Sequence, residues 1–229
     1  MSESSLATYV HYSPNCTKPR QGTIQGVAIH CTAGGRNLPA RNFADMNRFA
    51  VKQKNGASCH YVVGGDGSIA QVCREENRAW CTSNPIDHQI ITIEVASDAD
   101  GACKCNAAAL NSLIKLLVDI CQRNNIPRLL WRGDKSLMGK WDEQNMVVHR
   151  WTANKACPGD YLYSKHTEIA QAVNNRLGAE KEDNDMDINK LLAEMTGAQA
   201  YALYTKAMTF AAAVAEPEWS KKQGHWEKA

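Results

Sequence analysis

The run Ile90-Ile91-Thr92-Ile93-Glu94-Val95 decides how this chain is read. It is apolar and β-branched at nearly every position, the composition that suits a pleated surface. It is long enough for a strand and too short for an ordinary helix. Working outward, Thr23 to Cys31 is a second apolar run that ends in small residues and reads as a buried strand stopping at His30. Ser58 to Val63 and Ser68 to Cys73 flank Gly64-Gly65-Asp66-Gly67, whose glycines and aspartate supply the positive-φ turn of a hairpin. Three stretches have helical spacing. Arg41 to Lys54 places Phe43, Met46, Phe49 and Ala50 on one face. Asn106 to Asn124 carries the stripe Leu110, Leu113, Ile114, Leu117, Ile120 and Cys121, with Asn106 as N-cap. Asp160 to Leu177 turns Leu162, Ile169, Val173 and Leu177 inward, with Gly178 as its cap. Residues 1–22, with Pro14 and Pro19, read as an irregular arm. Strands alternating with helices make this an α/β sheet with helices packed on it.

Chemistry concentrates in Val148-His149-Arg150-Trp151-Thr152-Ala153-Asn154-Lys155-Ala156-Cys157-Pro158-Gly159. This loop holds an imidazole, a cation and a thiol. With His30 upstream, His149 and Cys157 complete a three-ligand zinc set that leaves the fourth position open, the arrangement of catalytic rather than structural zinc. Taken singly, each of these residues has a plainer reading: His30 as a core histidine, Lys155 as a solvated loop residue. Glu94 lies within an apolar strand, where a carboxylate is costly unless partnered.

Four ordered segments then carry a resemblance: Ile29 to Ala33, Cys59 to Gly67, Ile91 to Val95, and His149 to Gly159. Together they resemble the zinc-dependent N-acetylmuramoyl-L-alanine amidases of the phage-lysozyme and peptidoglycan-recognition-protein type, most of all the prophage endolysins of Firmicutes. The resemblance covers roughly residues 1–178. It implies a mixed central sheet flanked by helices, with zinc held at one edge by His30, His149 and Cys157. It implies Glu94 as the catalytic carboxylate and Lys155 as support for the oxyanion. His60, on an alternating strand, and Trp80 are candidates for substrate contact, each weighed against core packing. Two positions depart from the family pattern. Cys59 stands where one branch has a catalytic tyrosine, which leaves the work to Glu94; Cys81 stands where many members have a histidine. The implied substrate is bacterial peptidoglycan, cut at the amide between N-acetylmuramic acid and L-alanine. The implied setting is a phage or prophage lysin. A cytosolic recycling amidase, a non-catalytic peptidoglycan-binding module and a polymerase-regulating partner role are the competing readings.

Composition bounds the partners. The formal net charge of +2 gives no case for nucleic acid. No long apolar run suggests a membrane span, and the polar start Met1-Ser2-Glu3-Ser4-Ser5 lacks a secretion signal, so cytoplasmic synthesis before release is expected. Without such a signal, the nine cysteines read mostly as buried thiols, Cys31 and Cys59 among them, rather than a disulfide framework. Cys103 and Cys105 form a Cys-x-Cys pair that lacks an evident third ligand. Residues 179–186 are a charged run without apolar anchors and read as a linker. Residues 187–229 read as a helical appendage with a break near Gly197. The tail Trp219 to Trp226 looks like the opening of another module, so the appendage is expected to be an incomplete wall-binding piece, with self-association or a solvated tail as its other roles.

Overall fold

The computed structural model describes residues 3–185, together with Thr196, Gly197, Gln199, Ala202 and Thr205. In chain order the elements are β1 (Tyr9–Val10), β2 (Cys16–Thr17), β3 (Gly26–Cys31), α1 (Ala40–Ala44), α2 (Asn47–Ala50), β4 (Tyr61–Val63), β5 (Ile69–Gln71), β6 (Arg78–Ala79), β7 (Ile90–Val95), α3 (Ala107–Arg123), β8 (Met146–Val147), α4 (His149–Thr152) and α5 (Gly159–Asp185). Six strands form one sheet in the order β1-β5-β4-β7-β3-β8, and β2 pairs with β6 separately. The four strands β4, β7, β3 and β8 run parallel, while β5 is antiparallel to β4 and closes the hairpin. The hairpin turns where the glycines predict it, with Gly67 at φ +85°.

The central strands β3 and β7 are buried at every position. Side chains alternate between faces along a strand. One face carries Val27, Ile29, Ile91, Ile93 and Val95, packed with Leu113, Leu116, Leu117 and Ile120 of α3 and with Leu162, Ile169 and Val173 of α5. The opposite face carries Ala28, Ile90 and Val147. His30 and Glu94 are register partners, so both project to that second face at the carboxyl ends of their strands.

Several expectations are corrected. The helix read over Arg41 to Lys54 is two short helices, because Met46 is extended (φ −63°, ψ 139°). The Asp45 carboxylate just before it is drawn to the arm, accepting from Tyr9 Oη at 2.7 Å and lying 2.6 Å from His11 Nδ1. The arm itself is only partly irregular: β1 extends the sheet alongside β5, and β2 pairs with β6. Asn106 precedes α3 but does not cap it; its amide donates instead to Arg36 O, Asn37 Oδ1 and Gly65 O. Gly178 does not end its helix, and α5 continues through the charged run to Asp185. Ala, Glu and Lys are strong helix formers, and one glycine costs only about 1 kcal/mol. The expected appendage at 187–229, with its break near Gly197, lies outside the described residues except at five positions.

Candidate metal centre and cleft

The carboxyl ends of the parallel strands converge at one edge, the usual place for a ligand in such a sheet. His30 is the fifth residue of β3 and Glu94 the fifth of β7, while His149 opens α4 two residues after β8. The loop after α4 returns Cys157 to the same point. Its Sγ lies 3.3 Å from His30 Nδ1, and the His30 and His149 rings are 5.2 Å apart, edge to face. One donor atom each from His30, His149 and Cys157 lies within 4.8 Å of the others.

This set fits a zinc ion. Tetrahedral zinc with Zn–N near 2.0–2.1 Å and Zn–S near 2.3 Å separates its donors by roughly 3.5 Å, close to the observed sulfur–nitrogen distance. Burial holds His30 neutral, with its pKa pushed down to about 3, and the neighbouring His149 adds to the effect. Burial, and then Lys155, lowers His149. Neutral imidazoles are the form that ligates metal. The Nε2 atoms of both rings are buried and lack a hydrogen-bond partner, which a fold tolerates only for a reason.

Glu94 adjoins this set. Its Oε2 is buried without a partner, and its Oε1 sits 3.8 Å from Arg48 Nη2. Burial raises its pKa to about 7, against a smaller pull downward from Arg48. Cys81 Sγ also lies within 4.8 Å of donor atoms of His30 and Glu94. The Asp87 carboxylate fixes the segment carrying Cys81, accepting from the Cys81 and Thr82 amides at 3.1–3.2 Å. Burial pushes Asp87 up to about 6 despite those bonds.

These groups open onto a cleft of about 660 Å³ lined by Arg48, Arg78, Trp80, Cys81, Glu94, His149, Lys155 and Cys157, among others. Lys155 is exposed at its rim. Trp80 lines it with Nε1 donating to Thr17 Oγ1 at 3.0 Å and Lys52 Nζ 4.5 Å above the ring. His60 stands apart. It is fully buried, is not among the lining residues, and has both ring nitrogens engaged: Arg20 Nη2 donates to Nε2 at 2.7 Å, and Thr92 Oγ1 lies 3.0 Å from Nδ1. Cys59 is likewise buried and outside the cleft lining, whereas Cys31, expected only to pack, lines the cleft. Arg48, Arg78 and Asp87 are cleft residues that sequence reasoning missed. Nothing in their local sequence marks them: Arg48 reaches Glu94 only across the fold, and Asp87 is distinguished by its bonds to the Cys81 and Thr82 amides and by Arg78 at 4.0 Å.

A family model described as N-acetylmuramoyl-L-alanine amidase matches residues 20–160. None of the curated proteins matches the chain. Among solved structures, a selenomethionine AmpD derivative is similar with TM-score 0.54 and 16% identity, covering 73% of this chain and 96% of that one. The PlyG catalytic domain is similar with TM-score 0.51 and 18% identity, covering 72% and 86%. At these identities the two likenesses concern the fold, a mixed six-stranded sheet flanked by helices.

Proposed function

Because the chain belongs to the N-acetylmuramoyl-L-alanine amidase family, we propose that it is a zinc hydrolase of bacterial peptidoglycan, cutting the amide between N-acetylmuramic acid and L-alanine. The observation that carries this reading is the meeting of three donors with a buried carboxylate, one of whose oxygens has no hydrogen-bond partner, beside one cleft. Zinc held by His30, His149 and Cys157 supplies Lewis acidity and an acidified water when bound. Glu94 takes the proton from the attacking water and passes it to the leaving amine. A carboxyl with its pKa near 7 suits both halves of that transfer. Lys155, at the rim, steadies the charge that develops on the carbonyl oxygen. Arg48, Arg78 and Trp80 line the path of the substrate, and His60 is left to the core.

The setting we favour is a phage or prophage lysin acting on the intact wall. Catalysis then resides in residues 1–178, and the sequence beyond 186 contributes a wall-directed segment, which an enzyme recycling soluble fragments does not need. Among the described residues no helix is long and apolar enough to cross a membrane. The test is a digest of purified sacculi and, separately, of soluble muropeptides, read by mass spectrometry with and without chelator. Intact glycan strands and free peptides beginning with L-alanine, lost on chelation, support the reading. New reducing ends or cuts within the peptide refute the amidase assignment, and action on soluble fragments alone refutes the lysin setting.

A further inference from the structure

The cleft holds a second group of sulfurs that the proposed reaction does not use. Cys31 Sγ and Cys103 Sγ lie 2.6 Å apart, both buried in the protein yet both lining the cleft. Cys31 is the last residue of β3, next to His30, and points to the face opposite it. Cys103 sits in the loop between β7 and α3 with φ at +56°, a conformation uncommon for any residue with a side chain. That loop is pinned at both sides. The Asp100 carboxylate accepts from the amides of Ala102 and Cys103 at 3.1 Å. Gly159 packs so closely that a Cβ there would meet Cys103 Cβ at 2.5 Å. The Gly159 amide donates to Ala156 O at 2.9 Å, closing the turn that contains Cys157. Cys105, the other half of the Cys-x-Cys pair, is not needed for this arrangement, and no three-donor group among the described residues includes it.

We propose that Cys31 and Cys103 are a redox-active dithiol that closes to a disulfide, tying the loop beside the cleft to the strand that carries His30. The oxidant is a small-molecule disulfide such as oxidised glutathione, reaching the pair through the cleft. One cysteine thiolate attacks the glutathione S–S bond, forming a mixed disulfide and releasing one glutathione. The second cysteine sulfur then displaces the other glutathione and forms the Cys31–Cys103 bond. The two protein thiols lose two electrons and two protons, which the oxidant receives as two glutathione thiols. In a reducing compartment the pair stays open; in an oxidising one it closes. The inference rests on the position of the sulfurs and stands whether or not the amidase reading holds.

The experiment uses the full chain, zinc-loaded and reduced, exposed to oxidised glutathione, alkylated, digested with trypsin and sequenced by mass spectrometry. Lys104 lets trypsin separate Cys103 from Cys105. The expected product joins the Cys31 peptide to the Cys103 peptide with the loss of two hydrogens. Fragment ions place the link at Cys103 rather than at Cys81 of the same peptide, and Cys103→Ala abolishes it. The link closes a span of 72 positions, so oxidation raises Tm by on the order of 10 °C, reversibly with dithiothreitol. Recovery of Cys31 in alkylated form, its capture by Cys157, or a link that persists in Cys103→Ala overturns the proposal.

Discussion

Two buried histidines lie in or beside one sheet, and the hydrogen bonding around them differs. His60, beside β4, belongs to a polar cluster in which every group has a partner. Arg20 donates to His60 and also to the carbonyls of Glu75, His88, Ile90 and Asn77. Glu75 accepts two bonds from Arg123, at 2.7 and 2.9 Å, and a third from Tyr61 Oη at 2.6 Å. His30, on β3, sits in a cluster where the outer nitrogens of both histidines and one oxygen of Glu94 have none. A satisfied buried network stabilises and orients the fold; an unsatisfied one costs free energy and persists where function demands it. On the proposed function, the first cluster serves architecture and the second chemistry.

Substitutions break or sharpen that contrast, and the largest effect is expected at the unsatisfied cluster. Cys157→Ser removes a ligand and should abolish bound zinc together with amide cleavage, a loss on the order of 10³-fold or more. Metal analysis and turnover of the same sample check it, and full zinc content with normal turnover would contradict the ligand role. Glu94→Gln should keep the metal and lower kcat by roughly 10²- to 10⁴-fold, the usual range for a general base; steady-state kinetics beside a zinc assay separates this from a folding defect. In the satisfied cluster the outcome should reverse. Glu75→Gln removes one partner of a buried pair and should cost about 3 kcal/mol of stability, read by chemical denaturation, while the folded fraction retains zinc.

The pH dependence sharpens the comparison further. Glu94 titrates near 7 in the folded protein, above its usual value of 4.5. The folded state therefore holds a proton that the unfolded state has lost between those two values, and stability falls as pH rises through this window. In metal-free protein, Glu94→Gln should be more stable than the parent at pH 8, by on the order of 2 kcal/mol, with the gap closing below pH 4.5. Thermal melts across that range test it; parallel curves would remove Glu94 from the unsatisfied cluster. The smallest effect is expected at Trp80, whose replacement by alanine should raise KM a few-fold at nearly constant kcat. An unchanged KM would return Trp80 to packing alone.

Local pattern carried the central strands and the hairpin into view, because apolar runs and the Gly64–Gly67 turn act over a few residues. The arm was not legible. Its anchors are polar side chains reaching across the chain: Asn15 to the carbonyls of Arg48, Phe49 and Val51, and Arg20 to the segment around Glu75. No short-range periodicity encodes such contacts. The break at Met46 escaped notice for the same reason, since Asp45 is held by Tyr9 and His11. At the site, the donor set came from motif order, whereas Arg48 and Cys81 approach Glu94 only through tertiary structure. His60 and His30 look alike locally, each in an apolar context; the order of the motifs set His30 with the ligands, and the hydrogen bonds to both ring nitrogens set His60 in the core.

The most direct test of that separation is a zinc titration of chelator-treated protein, following amide cleavage in purified peptidoglycan. The account predicts no cleavage without metal and full recovery at one equivalent of zinc, with Cys157→Ser failing to recover. Undiminished cleavage by the metal-free protein, or equal recovery by Cys157→Ser, would contradict it.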